Sequence, residues 1–341
     1  MKTEILKLLR ETDGYVSGQQ ISRKLDVSRT AVWKVIRRLQ EEGYQVEAVR
    51  NKGYRIADSP DLVTKEELDS LIKTRWAGRN ILCFDITDST NLRIRQAGDA
   101  GAPHGTLAVA DSQTAGRGRR GRSWESPAGN SIYMSILLRP QIPPEKASMI
   151  TLVMALSVAE GITRCLGENA GADGSGADAG ASSGIRIKWP NDIIINGKKL
   201  AGILTEMSAQ IDYIDHVTVG VGINVNTVDF PEEIKETATS VRKEYGRLVK
   251  RAPLIAAVME RLEENYQMFL RTEDLSGLMD RYNDLLVNRD RDVLIIGAKE
   301  KYQAHSMGID RTGELVVRKD DGTIEKIYSG EVSVRGVYGY T

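Results

Sequence analysis

The densest chemistry in the sequence lies in one run, Gly116-Arg117-Gly118-Arg119-Arg120-Gly121-Arg122-Ser123-Trp124. Three glycines permit tight backbone conformations that can wrap a ligand closely. Four arginines supply planar donor forks for phosphate or carboxylate oxygens. So many like charges repel one another unless an anion neutralises them. The run also fits the spacing G-x-G-x-x-G, but a dinucleotide loop must open a helix. Here Ser123-Trp124-Glu125-Ser126-Pro127 follows, which reads as a turn. Arginine–glycine tracts for nucleic acid usually repeat over a longer low-complexity stretch, whereas this one occurs once, between two strand-like segments. The chain has no Gly-Lys-Ser/Thr loop, so phosphate binding must use another scaffold.

Other groups stand at similarly marked positions. Lys188 ends an apolar strand and precedes Trp189-Pro190-Asn191-Asp192, which places a cation at the lip of a rigid turn. Ser89, Thr90 and Asn91 follow Asp88 at a helix start, where they cap the helix or present hydroxyls and an amide to a ligand. Gln113 offers a paired donor and acceptor just before the arginine loop, and Asn191, Asp192 and Asn224 are polar groups at turns and strand ends. Cys83 and Cys165 are far apart, and His104, His216 and His305 are scattered, so no disulfide framework or metal set shows in the spacing.

Strand-like runs alternate with helical stretches around these residues. The strands are Ile81 to Phe84, Thr106 to Ala110, Ser131 to Leu138, Ile185 to Lys188, Ile193 to Ile195, Leu200 to Glu206 and Val217 to Val225. Leu92 to Ala97 and Ala147 to Leu166 read as helices, and Asn196-Gly197 as a hairpin turn. The hairpins argue for a mixed α/β domain rather than regular parallel units. Residues 248–286 carry helical spacing. Short strands from Asp292 to Tyr328 predict a small SH3-like β-barrel. Glu168 to Gly184 is rich in Gly, Ala, Ser and Asp, unable to bury a core, and reads as a flexible surface insertion.

The N-terminal residues have a different character. Residues 1–57 carry 12 Lys/Arg against 7 Asp/Glu, although the whole chain balances 47 against 47. Ser17 and Gln20 form a capping box before one short helix, and Ser28 caps the next. In that second helix Val32, Val35, Ile36 and Leu39 make an inward stripe. Arg29, Thr30, Trp33 and Lys34 then fall on the outward N-terminal surface, where a recognition helix meets base edges. A hairpin tipped by Arg50 and Lys52 follows, like the wing of a winged helix. The expected organisation is an α+β multidomain chain: a winged helix-turn-helix (1–60), a central mixed α/β domain (61–287, with the 168–184 insertion) and an SH3-like module (288–341). By the sequence reading no apolar run approaches the length of a membrane span, no signal pattern opens the chain, and the sparse cysteines fit a reducing cytoplasm.

Four motifs in this order, Asp88-Ser-Thr-Asn91, Gly116 to Trp124, Lys188-Trp-Pro-Asn-Asp192 and Gly220-Val-Gly-Ile-Asn224, resemble those of the bifunctional biotin–protein ligases. The likeness runs from the DNA-binding domain through the C-terminal module. It implies an enzyme with biotin and ATP as substrates and Mg²⁺ held by the ATP phosphates, not by a protein cage. Biotinyl-5′-adenylate would form first and pass to a lysine of a biotin carboxyl carrier protein. It further implies that the adenylate-bound homodimer binds operator DNA, with no membrane partner. By this resemblance Ser89, Thr90, Asn91, Gln113, Arg117, Gly118, Arg119 and Lys188 contact biotin. Arg117, Arg119, Arg120, Arg122, Trp124, Asn191 and Asn224 contact the adenylate or ATP, and Lys188 and Arg119 are catalytic. A lipoate–protein ligase and a ligand-sensing repressor without catalysis are the competing readings.

Overall fold

The computed structural model describes residues 1–170, 184–210, 212–297, 301–328 and 333–336. Most of the polar insertion therefore lies outside the described residues. The N-terminal unit holds helices α1 (Lys2–Glu11), α2 (Gly18–Leu25) and α3 (Arg29–Glu41), then the antiparallel strands β1 (Gln45–Val49) and β2 (Gly53–Asp58). Both caps form as read: Ser17 and Gln20 close a capping box, and Ser28 accepts from Ala31 N. Val32, Val35, Ile36 and Leu39 are buried with Ile5, Leu6 and Leu9, which turns the opposite side of α3 outward.

The central unit runs α4 (Lys65–Leu71), β3 (Ile81–Thr87), α5 (Thr90–Asp99), β4 (Leu107–Gln113), β5 (Ser131–Leu138), α6 (Met149–Ala170), β6 (Arg186–Lys188), β7 (Asp192–Ile195), β8 (Lys198–Ala209) and β9 (Ile214–Asn224). Then come α7 (Val241–Tyr245), α8 (Arg251–Thr272) and α9 (Met279–Leu285). Its seven strands form one sheet in the order β3-β4-β5-β9-β8-β7-β6, with β3 and β4 parallel and the remaining pairs antiparallel. The sheet is mixed, as the hairpin signals required. Asn196 and Gly197 take φ of 49° and 75°, as a two-residue hairpin turn demands.

Strand alternation divides this sheet into two faces. Leu107, Val109, Ile132, Met134 and Ile136 bury under α6 and α8 in the main core, while Ala108, Leu137 and Ile94 of α5 form a smaller cluster on the other face. Helix α5 thus lies across one face of β4, β5 and β9. One expectation needs correcting. The helical stretch Pro144–Gly167 is long and apolar enough to cross a membrane, with mean hydropathy 1.6. Its burial against α8 and the sheet accounts for that composition.

Beyond these elements, β10 (Arg291–Ile296), β11 (Lys301–Ile309), β12 (Leu315–Arg318), β13 (Ile324–Ile327) and β14 (Ser333–Gly336) form an antiparallel sheet in the order β13-β12-β11-β10-β14. Strand β14 was not foreseen, nor were α4 and α7. The N-terminal unit docks through α4: Glu67, only 2% exposed, takes Arg10 Nη2 at 2.5 Å and the Tyr44 hydroxyl at 2.5 Å. Burial, then the Glu67 carboxylate, drive the Tyr44 phenol well above its ordinary pKa. The linker is held as well, since Asp61 accepts from Arg251 N and Nε, and Arg251 also reaches Asp111 at 2.6 Å.

Candidate active site

The arginine run folds into a small hairpin between β4 and β5. Trp124 N donates to Gly116 O at 3.0 Å and Gly118 N to Arg122 O at 2.7 Å. Its tip bends at Arg120 (φ 57°) and Gly121 (φ 71°). A left-handed arginine is costly by about 1–2 kcal/mol, so the tip stores some strain. Arg119 leaves this hairpin toward the sheet, where its Nη1 donates to Asn191 Oδ1 at 2.9 Å. Burial, with Arg120 beside it, lowers its guanidinium pKa, although Asp192 opposes the shift. Arg117, half exposed, stands 3.7 Å from Glu206.

Two adjoining compartments open on either side of Arg119. The first, about 460 Å³, is lined by Ser89, Thr90, Asn91, Gln113, Arg117, Gly118, Tyr133 and the sheet residues Gly202, Leu204, Gly220 and Gly222. The second, about 830 Å³, is lined by Arg120, Arg122, Lys188, Trp189, Pro190, Asp192 and Val334 of β14. Gly118, Arg119, Trp124, Asn191 and Lys199 line both.

The polar wall of the first compartment is tightly wired. Gln113 Oε1 accepts from Thr90 N (2.9 Å) and Thr90 Oγ1 (3.2 Å), and Gln113 Nε2 donates to Ser126 Oγ at 2.9 Å. Asn91 Nδ2 donates to Glu206 Oε2 at 2.7 Å, while its Oδ1 sits 2.6 Å from Ser135 Oγ. Asn91 therefore spends both ends of its amide on the protein. Ser89 is the N-cap residue of α5 but makes no side-chain cap bond; Asp88 Oδ1 instead accepts Ser89 N at 2.6 Å. Burial pushes the Tyr133 phenol up to about 12, so it stays a hydrogen-bonding hydroxyl, donating to Pro127 O at 3.0 Å.

Glycines make the floor of that compartment. Gly202 pairs opposite Gly222, and Leu204 opposite Gly220. A Cβ at Gly222 would lie 2.6 Å from Trp124 Cε2, and one at Gly220 only 1.9 Å from Asn91 Oδ1. The indole thus lies down on the sheet, and its Nε1 is buried without a hydrogen-bond partner among the described residues. Lys199 Nζ stands 5.4 Å from the ring centroid and 2.6 Å from Asp192 Oδ1.

The second compartment is positioned by the turn after β6. Lys188 is 5% exposed at the strand end. Trp189 N donates to Asn288 Oδ1 and Trp189 Nε1 to Gly313 O, each at 3.0 Å, which nails the turn to the C-terminal sheet. Asn191 Nδ2 donates to Ile203 O at 3.0 Å. Cations from five positions (Arg119, Arg120, Arg122, Lys188 and Lys199) line this compartment, Lys188 buried and Arg120 and Arg122 exposed, and the compartment fits a polyanion such as a triphosphate.

The geometry groups most of the sequence-derived residues and separates one. Ser89, Thr90, Asn91, Gln113, Arg117, Gly118, Arg119, Arg120, Arg122, Trp124, Lys188 and Asn191 all line the cleft. Asn224 does not: it is buried with Nδ2 on Thr239 O at 3.1 Å, one register beyond the floor. Sequence reasoning missed Tyr133, Lys199, Glu206 and the glycine floor. The signal for the floor was present in Gly202, Gly220 and Gly222, glycines spaced along strands where side chains are otherwise preferred.

On the N-terminal unit, Arg29, Thr30, Trp33 and Lys34 are all exposed on α3, with Trp33 at 48% and Arg37 stacked 5.2 Å from its ring. Arg29 Nη2 donates to Gln19 at 2.9 Å. Arg50 and Lys52 are exposed at the β1–β2 hairpin, and Lys52 approaches the Tyr15 ring at 5.9 Å.

Comparison with known proteins finds a family match for each of the three units. The biotin/lipoate A/B protein ligase family matches residues 83–224, an HTH domain model 2–55 and the biotin protein ligase C-terminal domain 293–335. The bifunctional ligase/repressor BirA of Bacillus subtilis is 37% identical over 337 residues, covering 98% of both chains. BirA of Escherichia coli is 31% identical over 94% of this chain and 92% of its own. Among solved structures, the biotin protein ligase of Aquifex aeolicus in complex with biotin and ATP superposes with a TM-score of 0.63. It is 31% identical and covers 76% of this chain and 99% of that one. With a two-compartment cationic cleft, an N-terminal helix-turn-helix unit, and relatives alike over nearly the whole length, the chain belongs to the BirA family of bifunctional ligase/repressors.

Proposed function

We propose that the first compartment binds biotin and the second ATP, and that Arg119 and Lys188 draw the two anions together. The chain is a biotin–protein ligase that also acts as a transcriptional repressor. Arg119 carries the residue-level reading, because it lines both compartments and is latched to Asn191 at their junction.

A biotin carboxylate oxygen attacks the α-phosphorus of ATP. The new P–O bond replaces the bond to the β-phosphate oxygen, and pyrophosphate leaves. Arg119 and Lys188 offset the charge of both anions before they react, so preorganised cations supply much of the rate. Mg²⁺ would offset triphosphate charge when bound, carried by the nucleotide rather than by protein ligands. Arg120, Arg122 and Asn191 serve the nucleotide side. Stacking of adenine on Trp124 must compete with Lys199 for the ring. Thr90 and Gln113, with Ser89, face the ureido ring of biotin, while Asn91 positions Thr90's helix turn. The resulting mixed anhydride is hydrolysed readily, so the arginine hairpin closing over it excludes water. A carrier lysine amine then attacks the acyl carbon and AMP leaves.

The C-terminal sheet reads as an SH3-like barrel, with Val334 at the edge of the nucleotide side. The adenylate-bound chain dimerises and places α3 of each copy in a major groove, Arg29, Thr30, Trp33 and Lys34 toward bases, and Arg50 and Lys52 toward phosphates. Such coupling requires adenylate to favour the dimer-competent state, and a reducing cytoplasm suits the free Cys83 and Cys165. Mass spectrometry of the protein incubated with biotin, ATP and Mg²⁺ tests the reading. Bound biotinyl-5′-adenylate, discharged onto added carrier domain, is expected; bound biotin with no adenylate would reduce the protein to a sensing repressor.

A further inference from the structure

At the far end of α5 from the cleft, three side chains converge: Asp99, the last residue of the helix, and Asp215 and His216 at the start of β9. One oxygen from each aspartate and one imidazole nitrogen lie within 4.8 Å of one another. His216 is 1% exposed, yet neither ring nitrogen has a hydrogen-bond partner among the described residues. Its Nε2 stands 4.0 Å from Asp99 Oδ1 and its Nδ1 3.5 Å from Asp215 Oδ2. A neutral imidazole carries one donor and one acceptor, and burying both without partners is costly.

The backbone is shaped to make this meeting. Neighbours on a regular strand point to opposite faces, so Asp215 and His216 would normally diverge. The β8–β9 register breaks here: His216 pairs with Ser208 and Ile214 with Ala209, which leaves Asp215 as a bulged extra residue. A bulge re-aims its side chain. On the helix side, a Cβ at Gly98 would lie 2.8 Å from both Cδ2 and Nε2 of His216, so glycine lets the ring reach the helix end. The C-terminal pole of α5 favours positive charge there. Arg139 serves the outer edge, with Nη1 4.0 Å from Asp215 Oδ1 and donating to the Asp215 carbonyl, and Nη2 donating to Gly98 O. It leaves Oδ2 turned to the imidazole, and two carboxylates against one guanidinium keep the cluster negative.

We propose that Asp99, Asp215 and His216 bind a divalent transition-metal ion, Zn²⁺ or its surrogate Co²⁺, through one imidazole nitrogen and two carboxylate oxygens. Imidazole with carboxylate suits these ions, whereas Ca²⁺ and Mg²⁺ take oxygen ligands. Water completes the coordination. The 4.8 Å spread is wider than a zinc site allows, and the aspartates, 59% and 49% exposed, are free to rotate inward around the fixed ring. The ion would tie the end of α5 to β9, pinning from outside the two elements that present Thr90 and the glycine floor to the cleft.

The test is a Co²⁺ titration of the full chain without biotin or nucleotide, followed by its visible spectrum, with Zn²⁺ competition and thermal unfolding. One equivalent should bind with d–d bands and no thiolate charge-transfer band, and Zn²⁺ should displace it and raise Tm. Asp99→Asn and Asp215→Asn, at exposed positions that need not disturb folding, should each weaken affinity about tenfold or more and abolish the Tm shift. Absence of stoichiometric binding would overturn the proposal. So would thiolate bands, or affinity unchanged in both variants, since the ion would then sit on Cys83, Cys165 or another histidine.

Discussion

At the scale of single residues, Arg119 separates two jobs that the cleft must do. It bridges the compartments through Asn191, whereas Lys188 is buried on the nucleotide side alone. Arg119→Gly removes the latch and leaves Lys188 in place. Adenylate should still form but escape, read as biotinyl-5′-adenylate in the filtrate after rapid ultrafiltration; full retention would contradict the lid. A second residue sets a pH dependence. Burial, and then Arg139, lower the pKa of His104 below its ordinary 6.5. Arg139 N also donates to its Nδ1 at 3.0 Å, which requires that nitrogen to be unprotonated. The unfolded chain therefore binds a proton that the folded chain refuses. Stability from this group is complete above the unfolded pKa and falls as pH drops toward the folded one. Tm should fall between about pH 7 and pH 5, and less steeply in His104→Asn, which keeps an acceptor without a charge.

At the scale of elements, α5 is held against β9 by glycines at both of its ends. Gly220→Ala would drive a Cβ into Asn91 Oδ1 at 1.9 Å and push the first turn of α5 away. It should cost about 1–3 kcal/mol and raise KM for biotin while the far-UV spectrum stays native; unchanged KM would remove that turn from the biotin wall. Elements with local signals were legible in the sequence. The capping residues Ser17 and Ser28 marked α2 and α3, strand β5 was read from Ser131 to Leu138 as observed, and the arginine and Lys188 motifs named most of the cleft. Short α4 was hidden because its seven residues bury against two units at once, Glu67 on Arg10 and Tyr44 and Leu68 in the main core. Glu206 and Lys199 escaped because their partners, Asn91 and Trp124, lie far away in the chain. Asn224 has the parity of the floor glycines but sits past the cleft, where Thr239 takes its amide; parity fixes a face and not a reach.

At the scale of the whole molecule, the DNA-reading unit and the ligase share a buried carboxylate. Arg10→Ala would leave Glu67 with only the Tyr44 hydroxyl, a loss of about 3 kcal/mol if the pair behaves as a buried one. Limited proteolysis at the Asp58–Asp61 linker should then quicken and operator affinity fall, with pyrophosphate exchange nearly unchanged. Equal losses in both activities would mean that α4 supports the cleft itself. The central claim is that the two compartments join biotin to ATP, and biotin-dependent ATP–pyrophosphate exchange tests it most directly, with lipoate in parallel and Lys188→Ala as control. Exchange with biotin alone, lost in the variant, is the result the account predicts. Exchange with lipoate instead, or none with either acid, would contradict it.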